Sequence, residues 1–189
     1  MREKIYTKDD FITTKWAGGE TTQFLIYPEG AVFSERDFLF RISSATFTST
    51  ESEFSNFSGY QRYILPLEGS IKLIHKGLYT RELGKFEPEY FDGSWTTLSE
   101  NTPDCRDYNY IVRNGSNAML QMLQKGDKII LNASNLMTLF SIDSFTVSHD
   151  NGRIEVEEFS LLTLETDEQI TIDIIEASSP IILTEFKTA

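Results

Sequence analysis

Residues 62–98 read RYILPLEGSIKLIHKGLYTRELGKFEPEYFDGSWTTL. Short alternating runs are separated by glycine-bearing pairs, Glu68-Gly69, Lys76-Gly77 and Asp92-Gly93. Glycine reaches positive φ without a Cβ clash, which tight reversals demand. The segment is therefore expected to fold as successive hairpins through Arg62–Leu67, Ser70–His75, Leu78–Glu82, Phe86–Phe91 and Trp95–Leu98. Pro66 has no N–H for a ladder and predicts an edge or a bulge where it stands.

The same pattern extends in both directions. Upstream, Thr22–Tyr27 closes on Pro28-Glu29-Gly30. Phe38–Phe47 places Phe38, Phe40 and Ile42 on one face and Leu39, Arg41, Ser43 and Ala45 on the other. Ser52–Gly59 carries Phe54 and Phe57 among serines and asparagine and reads as a loop or one short helical turn. Downstream, Asn101–Asp104 reads as a loop. Asp107–Arg113 and Ala118–Leu123 are joined by Asn114-Gly115, the strongest hairpin signal in the chain. Lys128–Leu131 follows as a strand, and Ala133–Phe140 as a modest helix candidate or a loop. The last third is again β: Phe145–Ser148, the turn Asp150-Asn151-Gly152, Arg153–Phe159, Leu161–Glu165, Ile170–Ile175 and Ile181–Phe186. Many short strands at close spacing predict an all-β sandwich or barrel, with the later strands as a second lobe.

Composition narrows the functions. The chain has 189 residues, 40% hydrophobic, enough for one sizeable core or two small lobes. Its net charge of −12, from 29 acidic and 17 basic residues, comes without a basic cluster. A surface for nucleic acid or for an anionic membrane is therefore not expected. The polar start, the single cysteine (Cys105) and apolar runs of only a few residues make a cytoplasmic location the default expectation. With two histidines and one cysteine in no ligand-type spacing, neither a transition-metal site nor any other cofactor is expected. His75, before Lys76-Gly77, and His149, before the Asp150 turn, read as exposed turn residues.

Other residues invite chemistry. In Trp16-Ala17-Gly18-Gly19-Glu20-Thr21-Thr22 two glycines let the backbone approach something closely, or merely form a turn feeding the next strand. Arg41, alternating with apolar neighbours, and Arg62 each face either solvent or a cavity suited to a carboxylate or phosphate. Asp107 and Asn109 share one strand face, with Tyr108 and Tyr110 opposite; they too belong either to a pocket or to the surface.

Four stretches together resemble the HutD/Ves family: Trp16–Thr22; Phe40-Arg41-Ile42-Ser43-Ser44-Ala45; Phe54–Arg62 with Leu67-Glu68-Gly69; and Phe91-Asp92-Gly93 with Asp107-Tyr108-Asn109. They occur in the family's order, although here the first lacks the Asn and the further Gly that commonly follow the Trp. The resemblance implies a cupin-like (RmlC-like jelly-roll) fold with two packed β lobes in one chain, a bicupin over 1–189 with approximate lobes 16–113 and 114–189. It also implies an association with histidine utilisation and a small carboxylate-bearing ligand such as formylglutamate or urocanate.

The leading expectation is a non-catalytic binding protein for a small carboxylate-bearing molecule, with no catalytic residues. Arg41 and Arg62 would clamp the carboxylate, Ser43, Thr21, Thr22 and Asn109 would supply neutral hydrogen bonds, and Trp16 a wall. A homodimer is compatible with this reading. The alternative is a metal-independent isomerase, epimerase or lyase with His75 or Asp92 as general base. A third reading is a scaffold with a vestigial pocket.

Overall fold

A computed structural model describes residues 1–150 and 152–187. The chain folds into two compact units, Phe11–Gly115 and Met1–Asp10 together with the residues from Ser116 onward. All strand pairing among the described residues is antiparallel.

In the Phe11–Gly115 unit, a six-stranded sheet runs in the order β2 (Ile12–Trp16), β3 (Gly19–Tyr27), β4 (Phe40–Phe47), β11 (Arg106–Arg113), β6 (Tyr60–Glu68), β9 (Glu89–Asp92). A four-stranded sheet runs β5 (Glu51–Glu53), β10 (Thr97–Asn101), β7 (Ile71–His75), β8 (Tyr79–Leu83). Ile64 and Phe91 of the first sheet and Ile71, Leu73 and Leu83 of the second form one buried cluster. Each such side chain contributes about 1.5–3 kcal/mol relative to exposure.

The other unit repeats the plan. Its five-stranded sheet is β1 (Arg2–Tyr6), β17 (Ser160–Glu165), β14 (Asn135–Ser141), β19 (Ile181–Lys187), β12 (Ala118–Leu123). Its four-stranded sheet is β13 (Lys128–Leu131), β18 (Ile170–Ala177), β15 (Phe145–His149), β16 (Gly152–Val156). Leu139, Leu162 and Leu183 from one and Val147, Ile172 and Val156 from the other share a core.

Several local expectations change. Ala133–Phe140 contains no helix: Asn135–Ser141 is a central strand between β17 and β19, buried along nearly its whole length. A strand covered on both faces loses the polar alternation by which strands are recognised. Lys76-Gly77 does join a hairpin, β7–β8, whereas Glu68-Gly69 carries the chain from one sheet to the other. Asn114-Gly115 joins no hairpin either, because β4 and β6 occupy both edges of β11. The chain instead leaves that unit, and β12 pairs with β19. The Pro66 expectation holds as a bulge, since the register between β11 and β6 shifts where Asp107 faces Pro66. The turn at Asp150 includes Asn151, which lies outside the described residues.

Candidate functional site

Strand register assembles a cavity of about 340 Å³ in the Phe11–Gly115 unit. Ile111 on β11 faces Arg41 of β4 on one side and Arg62 of β6 on the other. Two strand spacings put the two arginine backbones roughly 10 Å apart in one row. Two residues along the same face, Asn109 faces Ser43, and Asp107 follows. Period two thus turns Arg41, Ser43, Arg62, Asp107 and Asn109 into the cavity. The opposite face holds the fully buried Phe40, Ile42, Tyr108 and Tyr110.

Both guanidiniums are held by neutral groups. Arg41 donates from Nε to Gln23 Oε1 (2.8 Å) and from Nη1 to Ser43 Oγ (3.2 Å). Arg62 donates from Nε (3.3 Å) and Nη2 (2.9 Å) to the single Oδ1 of Asn109. Asn109 in turn donates to Asp107 Oδ2 (3.2 Å), and Asp107 Oδ1 accepts the Ala45 amide at 2.6 Å. Phe33 lies 4.1 Å from the Arg41 guanidinium and Phe54 4.5 Å from that of Arg62, cation–π contacts of about 0.5–2 kcal/mol.

Arg41 and Arg62 are only 8% and 6% exposed, and none of the ion pairs among the described residues includes either one. The hydrogen bonds to described residues run from Arg41 Nε and Nη1 and from Arg62 Nε and Nη2, and leave Arg41 Nη2 and Arg62 Nη1 unused. Burial lowers both guanidiniums to about 10, partly offset by Asp107, so both stay charged at neutral pH. Burial also lifts the Asp107 carboxyl to about 6, against the Ala45 amide, Arg62, Asn109 and Arg41, which all favour its charged form.

Of the other residues singled out in the sequence, Thr21 and Trp16 line the cavity. The Trp16 ring, 40% exposed, stands at the rim, with its Nε1 donating to Thr21 Oγ1 at 3.1 Å. Thr22 falls on the other face of β3, where its hydroxyl meets that of Thr13 at 2.9 Å, and it does not line the cavity. The two glycines serve close approach within the chain itself. A Cβ on Gly18 would stand 2.1 Å from the Trp16 ring, and one on Gly19 2.0 Å from the Thr46 carbonyl oxygen. Gln23, Phe33 and Phe47 were not singled out; the first signal lies in period two, which puts Gln23 beside Thr21 on the cavity face.

His75 corrects its exposed-turn reading: it is 1% exposed. Its Nδ1 meets Thr97 Oγ1 at 2.9 Å, and its ring packs against Tyr79, Phe91 and Trp95. It sits at the inward-facing end of β7, opposite Thr97 of β10, so the adjacent turn does not expose it. Neither His75 nor Asp92 lines the cavity; Asp92 accepts the Ser94 amide and a Gln61 amide hydrogen at the end of β9. Burial, with a smaller push from Arg62 and against Glu89, lowers the His75 imidazole below its usual value. Its neutral form therefore supports folding above the unfolded-state value of about 6.5. That stability is lost progressively as pH falls below it and through the lower folded value. Urea unfolding at about pH 7.5 and about pH 5.5 should show this acid-side loss, and His75→Phe should flatten it; an unchanged slope in the variant would assign the loss to another group.

Among the described residues no group of three or more His, Cys, Asp or Glu side chains is placed to hold a metal ion, and no helix is long and apolar enough to cross a membrane. The Cys105 thiol is buried and raised to about 12, chiefly by that burial.

The antiparallel sheets, and the cavity lined from both sheets of the Phe11–Gly115 unit, give a cupin-like fold. The bacterial pirin YhhW from Escherichia coli, in complex with nickel(II), is similar over 98% of this chain and 99% of its own (TM-score 0.65, 8% identity). A cupin 2 conserved barrel domain protein from Leptotrichia buccalis is similar over 98% and 96% (TM-score 0.61, 11% identity). The HutD family model matches residues 8–182, and the chain belongs to the HutD family. HutD from Pseudomonas fluorescens SBW25 is similar over the whole of both chains (TM-score 0.81, 21% identity). A conserved protein of unknown function from Pseudomonas aeruginosa PAO1 is similar over 99% and 98% (TM-score 0.82, 22% identity). At these identities the structural likeness speaks for the fold alone. No curated protein matches the sequence.

Proposed function

We propose that this HutD-family chain is a non-catalytic binding protein for a small carboxylate-bearing molecule. One observation carries the reading: two buried guanidiniums line one cavity, each with an N–H left over and neither in an ion pair. An uncompensated buried cation costs several kcal/mol, and an anion bound between the two would recover much of that through charge-assisted hydrogen bonds. Phe33, Phe54 and Trp16 supply the apolar wall against which a small organic body would rest. The similar HutD from P. fluorescens was solved in a formate condition, which makes formate the simplest probe. The family resemblance puts acids of histidine breakdown next, and with them a role in regulating histidine utilisation.

Calorimetry with formate and with histidine-pathway acids tests the reading. Binding is expected to weaken by about tenfold to a hundredfold in Arg41→Ala, the range for removing one charged hydrogen-bonding partner. Absence of heat with every acid, or unchanged affinity in the variant, would count against it.

A further inference from the structure

The cavity wall contains one buried carboxylate, Asp107, at 2% exposure. Its two oxygens are engaged by neutral donors, the Ala45 amide and the Asn109 side-chain amide. Arg62 reaches it through Asn109, and both arginines act on it through space without closing an ion pair. Asp107 is therefore the buried negative charge that the two cations sense through space. An anion entering the cavity would bring a second negative charge to the same pair of guanidiniums. In a water-poor site each of two neighbouring like charges raises the proton affinity of the other, and the more basic of the two carboxylates takes the proton first.

We propose that an anion entering this cavity replaces Asp107 as counter-ion to Arg41 and Arg62, and that a proton from solvent is taken up on the Asp107 carboxylate as it does so, an inference that rests on the anion-binding reading. A proton on Oδ2 leaves Oδ1 free to keep the Ala45 amide bond, while the longer Asn109 amide bond to Oδ2 is weakened. Asp107 is prepared for this exchange, because burial has already brought it to about 6.

The other charged and titratable groups facing it do not substitute for it. Arg41 from β4 and Arg62 from β6 stay charged, and Cys105, close by on its own strand's approach, stays protonated. His75 senses Arg62 but lies outside the cavity lining. Glu53 of β5 lines the cavity from an exposed position.

Linkage sets the sign: when binding takes up a proton, affinity rises as pH falls. Formate stays ionised from about pH 5 to about pH 8, so its own protonation does not intrude. Calorimetric titration of the full chain with formate at about pH 7.5, in two buffers of different ionisation enthalpy, should show uptake approaching one proton. Affinity should fall on the order of tenfold or more between about pH 6 and about pH 8. Asp107→Asn should bind with buffer-independent heats and little pH dependence, and at about pH 8 more tightly than wild type. Glu53→Gln should keep the proton uptake. Should Asp107→Asn not fold, infrared difference spectra of the wild-type chain decide, since formate binding should add a protonated-carboxyl band. Formate binding without proton uptake, or uptake that persists in Asp107→Asn, would overturn the exchange while leaving anion binding intact. No formate binding at any pH would overturn both.

Discussion

Arg62→Met should lower anion affinity on the order of a hundredfold or more, about 3 kcal/mol, while leaving the empty protein as stable as the wild type or slightly more so. The two effects share one cause. Arg62 is buried, charged and without a carboxylate partner, so the fold carries its desolvation cost and an incoming anion removes part of it. Methionine has a similar reach and fills the space beside Phe54, Phe57 and Phe91 without a charge. The opposing loss is the Asn109 carbonyl, which gives up its two donors from Arg62; that is worth about 1–3 kcal/mol and sets the limit on any gain. Calorimetry with formate measures the first effect and urea unfolding the second. Affinity retained within about threefold, or unfolding eased by more than about 3 kcal/mol, would assign Arg62 to the scaffold rather than to binding.

Gly19→Ala should destabilise the chain by about 2–4 kcal/mol and weaken formate binding with it. The added Cβ would stand 2.0 Å from the Thr46 carbonyl oxygen and 3.0 Å from the Phe47 Cα. Both are backbone atoms of β4, the strand that presents Arg41 and Ser43, so no side-chain rotation relieves the contact. Gly19 pairs with Phe47 at the start of the β3–β4 ladder, and Phe47 lines the cavity with Trp16. Gly77→Ala separates steric from conformational causes: Gly77 also has a positive φ, +77, but a Cβ there meets nothing within 4 Å. It should cost only about 1–2 kcal/mol and leave formate affinity unchanged. Equal destabilisation by the two substitutions would mean that β4 yields to the contact.

Much of the site was readable because alternation along a strand is local. Phe40 and Ile42 against Arg41 and Ser43, and Tyr108 and Tyr110 against Asp107 and Asn109, fall on the two faces their order in the chain requires. The same rule separates Thr21, in the cavity, from Thr22, paired with Thr13 outside it. Which face would be the cavity was not readable, since a polar face is equally at home in water. His75 shows the converse: a histidine beside a Lys-Gly turn looks exposed until Tyr79, Phe91 and Trp95, from three other segments, close around it. Asn114-Gly115 had the chemistry of a hairpin, and failed to make one because strands distant in sequence had already taken both edges of β11.

The sequence by itself determined that the chain is all-β and which side chains share a strand face. These follow from backbone periodicity and composition, which act over a few residues. Only the tertiary structure decided that Arg41 and Arg62 converge. That depends on β11 lying between β4 and β6 in a register that puts Ile111 opposite both, pairings between residues 70 and 49 positions apart. Burial is likewise a property of the assembled sheets, and it is burial that sets these two cations apart from the surface arginines of the chain.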